Sequence, residues 1–448
     1  MQKYFKYGWL RQSTAFLFLT FIITGNTYAQ ASSNDSLLTR ADLPNLIEYA
    51  LRRQPAIQRA LIDEQTTELQ VKSKLSEWLP QLNMNYNLQH NFQVQTSVIG
   101  GNTVRLGVEN TSTLQFTANQ TIFNRDVLLA KRAGGDVKLL SRQQTSRTRV
   151  DVVVEVSKAY YDILATTEQV RVNEENIVRL ERSLKDARAR FDAGVADKTD
   201  YKRALIALNQ AHAGRTTIRE SLQAKTTYLK SLINYPDTFN LPIYYDSARL
   251  ENEIHLDTLA MPDYTNRVEY TILETQRRLS EANISYNKWA YIPSVSAFGA
   301  YNMNFLNNSF NKLYSQSYPN SYAGLTLAFP IFQGGKRKYE LEEAKLRLKY
   351  TDLEILSLKN TVLSEYRTAL ATYNASMAAY ITLKENVVLA QEVYDIINLQ
   401  YKSGIKTYLE VILAETDLRS ARINYFNALY LVLSSKIDVL KSKGDLKY

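Results

Sequence analysis

The chain has 448 residues, 45% hydrophobic and 22% charged, enough to bury a sizeable core and too structured in composition for a disordered tail. Only 15 Gly and 9 Pro argue against a soluble all-β protein made of tight turns, and the absence of Cys excludes disulfides, thiolate metal sites, a Cys nucleophile and a lipid-anchored N-terminal Cys. The net charge of +9 falls to +6 without Lys3, Lys6 and Arg11 of a leader segment, too mild to argue for a nucleic-acid partner.

In chain order the first signal is that leader. A basic start, the apolar run Ala15 to Ile23 and the small-residue pattern at Thr27-Tyr28-Ala29 read as an export signal over residues 1–29, with the mature chain starting at Gln30. Nine apolar residues are short of the roughly 20 that span a bilayer as a helix. Next comes a helical stretch ending at Trp78-Leu79-Pro80, after which the period changes to two: Leu82, Met84, Tyr86 and Leu88 alternate with Asn83, Asn85, Asn87 and Gln89. Strands are expected at about 81–92 and 113–121, a long helix at about 125–190, a Gly-containing turn, and a return helix to about 232.

The same order recurs after an irregular linker at about 233–262. Tyr291-Ile292-Pro293 matches the earlier joint, strands follow at about 294–305 and 322–329, and a helix runs from about 336 to 401. Its turn and return helix reach about 433, leaving 434–448 as a tail. The two halves are offset by 210: Arg190-Phe191-Asp192-Ala193-Gly194-Val195 recurs as Gln400-Tyr401-Lys402-Ser403-Gly404-Ile405. Back from Phe191 every seventh residue is Leu184, Ile177, Val170, Ile163 and Val156; back from Tyr401 it is Tyr394, Val387, Tyr380, Tyr373 and Tyr366. A seven-residue ladder is a coiled-coil seam. A second rung is expected at Leu356, Leu363, Leu370 and Met377.

This is an α+β membrane protein with a tandem repeat. A helix of this length extends about 100 Å, and strands of about 9 to 13 residues are long enough to cross a bilayer when tilted. Four strands cannot close a barrel alone, and open edges find no water in hydrocarbon, so the chain must oligomerise. Two copies would supply eight strands and a filled lumen; three would supply twelve and a water channel.

The layout, the paired joints, Leu325 to Gly335 (Leu-Thr-Leu-Ala-Phe-Pro-Ile-Phe-Gln-Gly-Gly) and the Tyr401-x-x-Gly404 tip resemble the TolC family of outer-membrane efflux channels over nearly the whole mature chain. The resemblance implies a homotrimer whose twelve-stranded outer-membrane barrel continues as a coiled-coil tunnel through the periplasm. Its equatorial belt would fall on the linker and the tail. It implies a passive channel of a tripartite efflux or type I secretion system, with a periplasmic adaptor (membrane fusion protein), an inner-membrane pump of RND, ABC or MFS type, outer-membrane lipid and no cofactor. Adaptor contacts would fall on Ala193, Gly194, Val195, Ser403, Gly404 and Ile405, each Gly equally readable as a helix C-cap. The gate would map onto Asp200 bonded to Tyr401 and Lys406. A pore ring of paired carboxylates would fall on Glu410 and Leu413, so only Glu410 remains to form it.

No enzymatic reading competes. His90, His212 and His255 lack metal-ligand partners at helical spacing, and Gly334-Gly335-Lys336 is followed by Arg337 where a phosphate loop needs Ser or Thr. The alternative is a secreted coiled-coil envelope scaffold without channel activity. The helices suit it equally, but it has no use for an exposed face of Leu82, Met84, Tyr86 and Leu88.

Overall fold

The computed structural model describes residues 38–195, 197–245, 247–257 and 262–446; the expected export signal lies outside them. Asp42, accepting from the Asn45 amide at 3.2 Å, caps α1 (Leu43–Arg53), and α2 (Pro55–Ser76) follows with Pro55 in its first turn. Then come β1 (Gln81–His90), β2 (Thr96–Ile99), β3 (Asn102–Arg105), β4 (Asn110–Phe123), α3 (Arg125–Asp192) and α4 (Lys198–Ile233). A short α5 (Ser247–Glu253) interrupts the linker. The chain closes with α6 (Val268–Trp289), β5 (Ser294–Asn307), β6 (Ser317–Ala328), α7 (Lys336–Lys402) and α8 (Tyr408–Lys443).

α3 and α7 have 68 and 67 residues, hence about 100 Å each. Their sevenfold ladders point inward: Val156, Ile163 and Ile177 are buried on α3, and Tyr366, Tyr373, Tyr380 and Tyr394 on α7. Tyr fits such a seam when its hydroxyl finds a partner, as Tyr373 does on the Ile254 carbonyl at 2.7 Å. Leu356 and Leu363 of the second rung stay exposed, so this chain alone supplies them no partner. Ion pairs cross the helices beside the seam: Lys225 with Asp162 at 2.8 Å from α4 to α3, Lys158 with Asp438 at 2.6 Å and Lys441 with Asp151 at 2.8 Å between α3 and α8. The last two involve residues set apart by sequence as a tail. Residues 434–443 instead continue α8, burying Ile437 and Val439.

The strands form one antiparallel sheet in the order β1-β4-β5-β6. Directly paired residues share a face, so the register Met84↔Phe116↔Tyr301 and Leu82↔Ala118↔Gly299↔Ala323 collects the apolar residues on one side. Asn85, Gln115, Asn302 and Asn320 meet on the other, where Asn302 donates to the Asn320 side-chain oxygen at 2.8 Å. Phe298 breaks that polar face because its ring lies over Gly324, where a Cβ would come within 2.8 Å of it. All ten residues of β1 are exposed, Leu82 by 79%, and both β1 and β6 end the sheet as edges. The loop between β1 and β4 carries a separate hairpin, β2 with β3, turning at Gly100-Gly101; a two-Gly turn between short strands is its local signal.

Candidate functional site

All four helix-to-strand joints lie at one end of the sheet, since Gln81 pairs with Asn119 and Ser294 with Ala328. The helices leaving that end turn back at two hairpin tips, α3 to α4 and α7 to α8, which have the same backbone. At the first, Gly194 (φ +73°) donates to the Phe191 carbonyl at 2.9 Å and Val195 to Arg190 at 3.0 Å. At the second, Gly404 (φ +76°) donates to Tyr401 at 3.0 Å and Ile405 to Gln400 at 2.9 Å. Both are helix ends closed by a left-handed residue, the conformation glycine adopts without a Cβ penalty. Nothing lies within 4 Å of a Cβ built at either glycine, so the requirement is for the angle and not for space. The residue after each, Val195 and Ile405, would ordinarily fold back on its own helix. Here they are 75% and 72% exposed, two apolar side chains beyond the ends of the bundle.

The return helices also start alike. Asp197 accepts the Thr199 amide at 2.6 Å, and Thr407 forms a capping box with Glu410. Asp200 and Glu410 are 210 apart and hold the same third position of their helices, which sequence reading had given two separate roles. Glu410 accepts the Thr407 amide at 2.8 Å, the Thr407 hydroxyl at 3.0 Å and the Lys406 ammonium at 2.6 Å. The lysine bond, with the capping bonds behind it, holds its carboxyl down to about 2. Lys406, the residue before the α8 cap, is thus committed to Glu410 in the first turn of α8, in place of the expected bond to Asp200. The Glu410 charge is matched by an ammonium of the same chain.

Tyr401 does tie the hairpins together, through a residue that motif reading passed over. Its ring sits against Tyr408 with centroids 5.6 Å apart and lies under the Arg190 guanidinium at 4.6 Å. Arg190 also donates to the Lys402 carbonyl at 3.4 Å, so one side chain of α3 grips two neighbouring residues of α7. Burial raises the Tyr401 hydroxyl, Arg190 opposes that shift and Asp200 adds to it, placing Asp200 close enough to act electrostatically. The sequence clue was position: Arg190 directly precedes the first-tip aromatic, where the second half has Gln400.

Three turns deeper, Glu415 is only 3% exposed and meets Arg179 at 3.3 Å, with Oε2 of the acid and Nη2 of the arginine left without partners. Burial pushes the Glu415 carboxyl from 4.5 up to about 7, and the Arg179 and Arg419 guanidiniums offset only part of it. A folded-state pKa above the unfolded one means the native tip binds the extra proton. Its contribution is therefore complete below about pH 4.5 and lost as pH rises through about 7. Thermal melts of the parent should fall in midpoint across that window, and Glu415→Gln should flatten the dependence; an unchanged slope in the variant would assign it to other groups.

The sequence profile of the outer membrane efflux protein family matches residues 46–235 and 272–444. The outer membrane protein TolC of Salmonella enteritidis is 21% identical over 430 residues, covering 92% of this chain and 84% of that protein. The outer membrane efflux protein BepC of Brucella suis is 21% identical over 381 residues, covering 82% and 78%. In fold, the chain resembles the crystal structure of the outer membrane protein VceC from Vibrio cholerae, with a TM-score of 0.70, 15% identity and coverage of 90% and 96%. With strands of bilayer-crossing length at one end and helices of about 100 Å leaving them, the chain belongs to the outer membrane efflux protein family: it is an outer-membrane channel of efflux or secretion systems, reaching into the periplasm.

Proposed function

We propose that three copies of this chain close a twelve-stranded barrel, each donating the sheet β1-β4-β5-β6 and pairing its β6 edge with the β1 edge of the next. The observation that carries this is the sheet itself, two-faced, exposed on both sides and open at both edges. An edge in hydrocarbon has no water to satisfy it, so closure by further copies is what makes the sheet viable in a membrane. The tandem repeat then gives six hairpin tips per trimer, and the exposed Leu356 and Leu363 become contacts between neighbouring protomers. The channel is passive: it receives cargo from an inner-membrane pump through a periplasmic adaptor, which docks on Val195 and Ile405 and the small residues beside them, Ala193, Gly194, Ser403 and Gly404. At rest the tips are held closed by Arg190 on Tyr401, with Asp200 alongside. Glu410 stays the candidate ring at the constriction, its charge offset by Lys406 of the same chain.

Single cysteines test the barrel, because the chain has none of its own. In reconstituted trimers a water-soluble maleimide should label cysteines at 83, 85 and 87 through the lumen and leave those at 82, 84 and 86 protected by lipid. Equal labelling of the two sets, or a protein that runs only as a monomer, would sink the arrangement.

A further inference from the structure

The end of the sheet where the four joints meet carries a second surface, unrelated to the conduit. The loop from β6 to α7 presents Ile331 and Phe332 almost free of contact, 87% and 88% exposed. Immediately behind it stand cations set on aromatic rings: Lys131 over Trp78 at 5.1 Å and Arg132 over Trp289 at 5.9 Å. Residues 125–132 and 336–338 hold six basic side chains and one acid, Asp126, which accepts the Tyr286 hydroxyl at 2.7 Å. Arg125, Lys336, Arg337 and Lys338 do not serve the first turns they occupy, because a helix start favours acids; Lys131 and Arg132 stand one turn further along α3. Arg337 is occupied internally, donating to the carbonyls of Pro330 and Ala290, and fixes the exposed loop. Lys131, Arg132, Lys336 and Lys338 are exposed to solvent, Lys336 with Glu340 of its own helix 3.7 Å away. Between the starts of α3 and α7 a cleft of about 240 Å³ opens, lined by Asn124, Arg125, Asp126, Ser294, Lys336 and Glu340 among others.

We propose that this collar binds the phosphodiester headgroups of anionic phospholipid in the leaflet facing the periplasm. The apolar pair enters the acyl boundary, the Trp rings lie at headgroup depth, and the four exposed cations take the phosphates. Charge complementarity selects this occupant: a second copy of the collar would bring like charge against like. Counted through Glu340, residues 125–132 and 336–340 hold six of the chain's 54 basic residues and two of its 45 acids, Asp126 and Glu340. The inference rests on the outer-membrane location and needs no particular gate or cargo.

Two of the three Trp residues are in the collar, and the third is Trp9, so fluorescence reports on it directly once Trp9→Phe is introduced. The full chain is reconstituted in phosphatidylethanolamine vesicles containing phosphatidylglycerol, with bromine on the acyl chains of one lipid or the other. At equal mole fraction, brominated phosphatidylglycerol should quench roughly threefold more strongly than brominated phosphatidylethanolamine. The preference should vanish at high salt and in the combined variant Lys131→Gln, Arg132→Gln, Lys336→Gln, Lys338→Gln. Equal quenching by both lipids in the parent overturns the proposal, as does a preference that survives the four substitutions. Absence of quenching by either lipid would place the collar away from the bilayer and likewise overturn the proposal. Should the combined variant fail to insert, the salt titration of the parent decides the matter, and a preference insensitive to salt overturns the assignment.

Discussion

Gly404→Leu is expected to abolish export while leaving folded, membrane-inserted channels, and Gly194→Leu to do the same. At both positions the backbone is left-handed and the surrounding space is empty, so the substitution causes no clash and acts on the angle alone. Holding a residue with a Cβ in that region costs about 1–2 kcal/mol. That is small beside the stability of helices of 67 and 68 residues packed along buried seams, so the bundle survives. It is large for a turn proposed to present one apolar side chain, and in the proposed trimer it recurs three times. Summed over the trimer it corresponds to roughly a hundredfold loss or more in engagement of the tip. Gly404→Asn is the control, since Asn tolerates the left-handed region better than other residues. Export should largely survive it. An Asn variant as inactive as Leu would place the defect in the docking surface and not in the turn, whereas full export by the Leu variant would remove the tips from the mechanism.

How much of this was legible in sequence depends on whether the signal is periodic. The ladders through Ile163 and Tyr373 and the alternation from Leu82 to Gln89 are repeated many times, so a single misplaced residue cannot hide them, and the buried seam and two-faced strands follow. Strand starts were less visible: β4 begins at Asn110 and β6 at Ser317, earlier than expected, because Asn110-Thr111-Ser112 and Ser317-Tyr318-Pro319-Asn320 read locally as loop; in the fold Asn110 is held by His90 and by the Asn307 and Asn308 carbonyls, and Asn320 by Asn302. Residues 434–443 were set apart as a tail although Ile437 and Val439 continue the helical spacing; what fixes them is α3, through Lys158 and Lys441, and no local pattern announces a partner 280 residues away. The tip chemistry escaped for a different reason. Family resemblance supplied Asp200 and Lys406 as partners, but a lysine at the start of a helix has a competing acceptor four residues on, and Glu410 was already fixed there by the capping box. Glu415 offered no sequence signal at all, being one acid among 45 until burial singled it out.

Those two corrections change the expected outcome at the gate. Arg190→Ser combined with Tyr401→Leu should shift the resting channel toward open and raise single-channel conductance several-fold in planar bilayers. Arg190 is the side chain that crosses from the first hairpin to the second, lying over the Tyr401 ring and reaching the Lys402 carbonyl. A partly exposed cation–π contact contributes about 0.5–1 kcal/mol, and a hydrogen bond at 3.4 Å adds little. In the proposed trimer three such ties would bias a closed tip yet stay weak enough for a docking partner to override. Lys406→Ser should open the channel far less, because the bond it removes runs from the second tip turn to the first turn of α8 and joins nothing across the hairpins. It should instead unmask Glu410 and raise cation preference, and Glu410→Ala in that background should reverse the gain. Tyr401→Phe keeps the ring under Arg190 and should therefore conduct nearly as the parent does. If Lys406→Ser opened the channel as fully as the Arg190 and Tyr401 pair, the lock would run through the second turn; if neither moved conductance in a folded trimer, closure would be held by contacts between protomers deeper in the tunnel.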